Sequence, residues 1–326
     1  MKTLRLFLIG FLGVFLSASI ALAQTPAQKH GNLRISGKHI VDKNGAVTSL
    51  AGPSFFWSNT GWGQERFYTR GAVETFARDW KAGIVRVAVG AQNNGSIIKD
   101  RRRNLKRAQK VIEAAIDNGL YVIVDWHSHQ AERDLKEAQA FFTHIAKRYG
   151  HTPNIIYEIY NEPLDTTDWN SVVKPYAERM IKTIRAVDPD NLIIVGTQSW
   201  AQDVDKAADN PIRGQSNILY ALHFYAATHK DELRQRAQYA INKGLPIIIS
   251  EWGSVTYNGD GYVDIDSTIE WMKFAKRNGL SHLNWSVSDK NESASMFLPS
   301  ASSNGGWTER DLTISGRLTR EIIRNW

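Results

Sequence analysis

Short apolar runs alternate with segments of helical period eight times along this chain, and that alternation narrows the fold more than any other feature. The runs are 49–56, 84–89, 120–125, 155–160, 192–196, 218–223, 246–251 and 282–286. Each is apolar nearly throughout, the pattern of a strand buried on both faces. The segments between them place apolar residues three and four apart. Leu135, Ala138, Phe142, Ile145 and Tyr149 share one helix face, as do Val173, Tyr176, Met180, Ile184 and Val187, and Leu105, Ala108, Ile112 and Ala115. The stretch after Trp200 predicts a short helix, and Gly316–Trp326 a closing one. Strands joined through helices pair in parallel. Eight such units predict an α/β fold, a (β/α)8 TIM barrel. An open doubly wound sheet would carry a Gly-rich phosphate turn after its first strand, and none follows here. Ahead of the first run, Asn44-Gly45 stands between extended segments of Leu33–Leu50. That dipeptide predicts an N-terminal β-hairpin, placed to cover one end of the barrel.

The first residues read differently. Lys2 and Arg5 precede an apolar stretch, Leu6–Ile20, and then Ala21-Leu22-Ala23 before Gln24. This is the pattern of a secretory signal peptide, so residues 1–23 are expected to be cleaved and the protein to be secreted, extracellular or periplasmic. The run is too short to favour a membrane span, and no membrane association is expected after cleavage. Residues 24–32 form a short polar segment, and 33–326 a single barrel domain with no Ser/Thr/Pro-rich linker. The formal charge is +7, and removal of Lys2 and Arg5 leaves +5. The one dense basic run, Arg101-Arg102-Arg103 with Lys106 and Arg107, opens a helical pattern and reads as a solvated face rather than a nucleic-acid surface. The absence of cysteine excludes thiol catalysis and thiolate metal sites. A monomer without cofactor or metal is expected.

In such barrels the chemistry sits at the C-terminal ends of the strands. The polar residues there are Arg86, within the second run; Asp125, His127 and His129, closing the third; Asn161 and Glu162, the fourth; His223 and Tyr225, the sixth; Glu251, the seventh; and Asn284 and Trp285, the eighth. Two glutamates on different strands of one rim suit glycoside hydrolysis, which needs one carboxyl to protonate the leaving oxygen and another to attack or to activate water. Other readings compete. Glu162 and Glu251 could be ion-pair partners, and His223 a core histidine. His127-x-His129 could hold a metal in a hydrolase of another class, although no lysine closes a middle strand. A non-catalytic carbohydrate-binding barrel is a third class. A serine hydrolase would carry Gly-x-Ser-x-Gly, which does not occur.

Ile159-Tyr160-Asn161-Glu162-Pro163 and Ser250-Glu251-Trp252-Gly253 resemble the two signature motifs of glycoside hydrolase family 5. Phe55–Trp62 and Ser288–Ser293 resemble its bacterial endoglucanases, especially those of plant-attacking Gram-negative bacteria. The resemblance spans nearly the whole mature chain. It implies an endo-β-1,4-glucanase acting with retention on β-glucan, with Glu162 as acid/base and Glu251 as nucleophile. It implies that Asn161 bonds the sugar 2-hydroxyl and that Arg86 and Tyr225 flank Glu251. His127 and His223 would line the −1 subsite, Trp285 would floor it, and Trp57, Lys290 and Glu292 would bind the next sugars. It also implies a cis peptide at Trp285–Ser286. Arg86 beside Glu251 predicts a lowered pKa there, and burial beside a second carboxylate a raised one at Glu162. Retention requires the two carboxyl groups to lie about 5–5.5 Å apart.

Overall fold

The computed structural model describes residues 24–326; the expected signal segment, 1–23, lies outside them. The chain opens with α1 (Pro26–His30) and the antiparallel pair β1 (Arg34–Ser36) and β2 (His39–Val41). Then strands and helices alternate: β3 (Ala51–Phe55), α2 (Arg70–Arg78), β4 (Ile84–Gly90), α3 (Arg101–Asp117), β5 (Tyr121–His127), α4 (Leu135–Tyr149), β6 (Ile155–Glu158), α5 (Lys174–Arg185) and β7 (Ile193–Val195). Two short helices follow, α6 (Gln198–Ala201) and α7 (Val204–Asp209), and then β8 (Ile218–Tyr225), α8 (Asp231–Asn242), β9 (Ile247–Gly253), α9 (Ile265–Asn278), β10 (His282–Val287) and α10 (Ile314–Arg324). Strands β3 to β10 close into one parallel barrel, with β10 beside β3. The eight apolar runs are its eight strands.

The pleat sorts side chains by height. On β4, Val85, Val87 and Val89 face outward into the layer shared with the helices, while Ile84 faces the barrel interior. Tyr121, Ile123, Ile156, Leu219, Ile248 and Leu283 join Ile84 in an apolar plug at the N-terminal end. Above the plug the inward positions turn polar, with Arg86, Asp125 and Glu158 all fully buried. The barrel is narrow at its base: a Cβ on Gly52 would meet the Ile84 carbonyl oxygen at 1.6 Å.

The N-terminal hairpin covers the plug, for Leu33 and Ile40 pack into it and the Tyr121 hydroxyl donates to the Gly31 carbonyl. Its turn is not where Asn44-Gly45 predicted. Arg34–Val41 and Ser36–His39 pair across Gly37-Lys38, with Gly37 at φ 59°. Asp42 explains the difference: its Oδ1 accepts the Asn44 and Ala46 amides and draws that segment into a separate turn, closed by the single bridge Val41–Val47. The polar segment before the hairpin is also more ordered than its composition suggests. Thr25 and Gln28 cap each other around the first turn of α1. Arg101, Arg102, Arg103 and Lys106 are exposed on α3, the solvated face expected of them.

Candidate active site

The residues singled out for the strand ends lie at one mouth of the barrel or directly beneath it, except Asn284, which alternates outward between Leu283 and Trp285 and donates to the Trp252 carbonyl. Arg86 has no exposed surface and binds on four sides. Its Nε donates to Glu158 Oε2 at 2.6 Å, Nη1 to Glu251 Oε2 at 2.8 Å, and Nη2 to Asn161 Oδ1 at 2.7 Å. Nη2 also stands 3.0 Å from Asp125 Oδ2. A buried guanidinium with five fixed donors suits this task, since isolated buried carboxylates are costly and each needs a partner. Because Asn161 Oδ1 is taken by Arg86, its amide N–H groups remain available above.

Glu251 faces the mouth because β9 carries a bulge. Ala221 pairs with Ile248, but His223 pairs with Glu251, so β9 gains one residue over β8. Ser250 and Glu251 therefore both reach the interior in succession, a common use of bulges beside active sites. Tyr225 donates its hydroxyl to Glu251 Oε1 at 2.9 Å. Gly253 makes room for that ring: a Cβ there would meet Tyr225 Cδ1 at 2.4 Å.

Glu162 follows β6 and is held by two histidines. His223 Nδ1 is 2.9 Å from Oε1, and His129 Nε2 is 3.1 Å from Oε2. The other nitrogen of His223 meets Ser250 Oγ at 2.9 Å, with Glu158 behind it at 3.8 Å. One ligand atom each of Glu162, His223 and Glu251 lie within 4.8 Å of one another. Among the described residues this is the one His/Asp/Glu cluster tight enough to share a cation, and His127 and His129 stand outside it.

The proton affinities run opposite to the sequence expectation. Burial raises Glu162, but the His129 and His223 hydrogen bonds more than reverse it and bring the group down to about 2. Burial, with Glu162 opposite, lifts Glu251 above the ordinary carboxylate range, against the pull of His223 and Arg86. Burial opposes the charge on His223 as well, yet its hydrogen bonds with Glu158 and Glu162 take it up to about 9. The sequence assigned Arg86 wholly to Glu251; in the fold its charge is divided among Asp125, Glu158 and Glu251.

The remaining predicted residues line the cleft on the Glu251 side. His127 pairs through Nδ1 with Asp125 Oδ2 at 2.6 Å, which assigns Asp125 the work of orienting that ring. The His127 ring lies parallel to Trp285 at 5.1 Å and meets Trp57 edge-on at 4.2 Å. Lys290 and Glu292 form an ion pair at this rim, with Lys290 over the Phe56 ring at 5.6 Å. The Trp285–Ser286 peptide is cis. On the Glu162 side a second cavity of about 540 Å³ opens, lined by Trp200, Gln202, Thr228, His229, Tyr257 and Asn258. Sequence reading missed this half, along with Glu158 and Gln92. Trp200 sits at φ 55° between two further left-handed residues, Ser199 and Ala201, and no periodic pattern announces it. Glu158 had a signal, since an acid in the apolar run 155–160 must find a buried partner.

Facing glutamates above a buried arginine, with flat aromatic rings along both arms of the cleft, define the class: a barrel glycoside hydrolase. Residues 41–291 match the family model "Cellulase (glycosyl hydrolase family 5)". The chain belongs to glycosyl hydrolase family 5. It is 44% identical to endoglucanase Z of Dickeya dadantii over 95% of this chain and 69% of that protein. It is 40% identical to endoglucanase N of Pectobacterium atrosepticum over 96% of this chain and 70% of that one. Among solved structures, one from Cytophaga hutchinsonii superposes with a TM-score of 0.90 at 42% identity, covering 93% of this chain and 97% of that one. The catalytic domain of a Thermobifida fusca endoglucanase, solved with cellotetraose, gives 0.86 at 32% identity, covering 92% and 100%.

Proposed function

We propose that the protein is a secreted endo-β-1,4-glucanase that cleaves internal bonds of cellulose-type glucans with retention of configuration. The observation that carries the reading is the separation of Glu162 and Glu251, an oxygen of each lying within 4.8 Å. Retaining sites hold their carboxyl groups about 5–5.5 Å apart, whereas inverting sites need roughly 6.5–9.5 Å to admit water. Glu251 is the nucleophile. Tyr225 and Arg86 hold its two oxygens, which fixes its aim at an anomeric carbon. Glu162 is the acid/base. His223, 2.9 Å away and raised to about 9, shares with Glu162 the proton that Glu162 must deliver.

In the first step Glu251 bonds to the anomeric carbon, the bond to the leaving oxygen breaks, and Glu162 gives its proton to that oxygen. In the second, water attacks the anomeric carbon, Glu162 accepts its proton, and Glu251 leaves. The Asn161 amide, with its oxygen pinned by Arg86, offers N–H groups to the sugar 2-hydroxyl. The His127 and Trp285 rings, stacked parallel on each other, form one wall of the −1 subsite, with Trp57, Lys290 and Glu292 beyond it. Trp200 and Tyr257 flank the leaving chain, 41% and 71% exposed. Aromatic surface on both sides of the dyad suits an internal bond of a long chain, since pyranose faces pack on π-faces. Export rests on the basic, apolar and small-residue pattern of residues 1–23.

Release of reducing ends from carboxymethylcellulose, mixed-linkage glucan, mannan and xylan tests the reading, with Glu251→Gln as control. Cleavage of the glucans by the wild type alone is expected. Cleavage of mannan or xylan alone overturns the substrate, and no cleavage by folded protein overturns the enzyme.

A further inference from the structure

His129 is the one histidine touching Glu162 to which neither motif nor resemblance gave a role, and its surroundings fix more than its position. The His129 backbone N–H donates to Gln92 Oε1 at 2.8 Å. A backbone amide is always a donor, so this bond settles which end of the Gln92 side chain is oxygen. The Ser128 hydroxyl donates to the same oxygen at 3.3 Å. The Gln92 nitrogen must then face His129 Nδ1, and it does, at 2.9 Å. Nδ1 is thereby an acceptor, and the neutral ring carries its proton on Nε2, the atom 3.1 Å from Glu162 Oε2. The Gln92 main chain is itself held, for buried Asn59 donates to its carbonyl at 2.9 Å.

We propose that Gln92 and His129 form a positioning pair: Gln92 locks His129 as a one-way donor to Glu162, and this bond sets how tightly Glu162 and His223 together hold the catalytic proton. The inference rests on the reading of Glu162 as acid/base. The groups facing Glu162 are His129 from the end of β5, His223, Tyr225 and His229 from β8 and its loop, and Glu251 from β9. His129 also faces His127 on its own strand, while Arg86, Asp125 and Glu158 lie beneath. A donor on Oε2 favours the carboxylate. It biases the shared proton towards His223 and readies Glu162 to act as base in the second step. Loss of the donor strengthens the pair's grip on its proton, so the alkaline limb of activity moves to higher pH.

The test is the pH profile of kcat/KM on cellopentaose for the wild type, His129→Phe, Gln92→Met and His129→Gln. His129→Phe should move the alkaline limb up by about one pH unit. Gln92→Met, which never touches Glu162, should move it the same way by less, and His129→Gln, which keeps an N–H donor, should restore part of the wild-type value. A limb that stays fixed in His129→Phe while the amplitude falls overturns the proposal, as does one that moves down. A limb that moves in His129→Phe but not in Gln92→Met overturns the lock. The acid/base reading is checked separately: Glu162→Ala should still cleave 2,4-dinitrophenyl β-cellobioside, whose leaving group needs no acid, and should be accelerated by azide. If that fails, the reading of Glu162 falls whatever the pH profiles show.

Discussion

Arg86 shows how much a single side chain carries here. It lies beneath the facing glutamates and pairs with Asp125, Glu158 and Glu251 at once. Arg86→Leu strands buried carboxylates, which should cost about 3–5 kcal/mol and depress the melting temperature as well as activity. Arg86→Lys keeps the charge but not the fork and should recover part of the stability with little activity. The same site predicts the pH profile. Glu251 is raised, so kcat/KM should fall on the acid side at a pH above 4.5, as Glu251 protonates. His223 is raised to about 9, so the alkaline limb should fall near that value, as the shared proton is lost. Stability follows the same group. A folded-state pKa above the ordinary 6.5 contributes stability that is complete below 6.5 and lost as pH rises through about 9. Acid and alkaline limbs both below pH 6 would contradict this account.

At the scale of elements, the bulge on β9 and the glycine after it do what the alternation of a regular strand would not. Ile248 points inward, so strict alternation would turn Glu251 outward; the extra residue returns it to the mouth. Gly253 then leaves the space that Tyr225 occupies. Gly253→Ala should displace that ring, remove its hydrogen bond to Glu251, and lower kcat by roughly 10²-fold with little change in the circular dichroism spectrum. The eight strands, Glu162 just after β6 and Glu251 on β9 were legible because an apolar run stopped by a polar residue is a local pattern. The bulge was not, because it is a relation between two strands. The role of His129 was hidden for the same reason, since Gln92, which orients it, lies 37 residues away. The reversed proton affinities of Glu162 and Glu251 depend on the two histidines that hold Glu162 and on the burial of Glu251 opposite it, which are properties of the assembled site.

In the whole molecule, the apolar plug and the chemistry sit at opposite ends of the barrel. The hairpin residues Leu33 and Ile40 close the apolar plug at the base, while every candidate catalytic group stands at the other rim. Ile40→Ala should therefore cost about 2–4 kcal/mol in chemical denaturation and leave kcat on soluble glucan within about twofold of the wild type. A large loss of kcat without loss of stability would show that the base and the mouth are coupled. The central claim is that Glu251 attacks the sugar, and incubation with a 2-deoxy-2-fluoro-β-cellobioside bearing a good leaving group, followed by peptide mass spectrometry, tests it most directly. The account predicts a single fluorocellobiosyl adduct on the peptide that contains Glu251, absent from Glu251→Gln. An adduct on Glu162, or turnover of β-glucan by an enzyme that inverts configuration and never forms one, would contradict it.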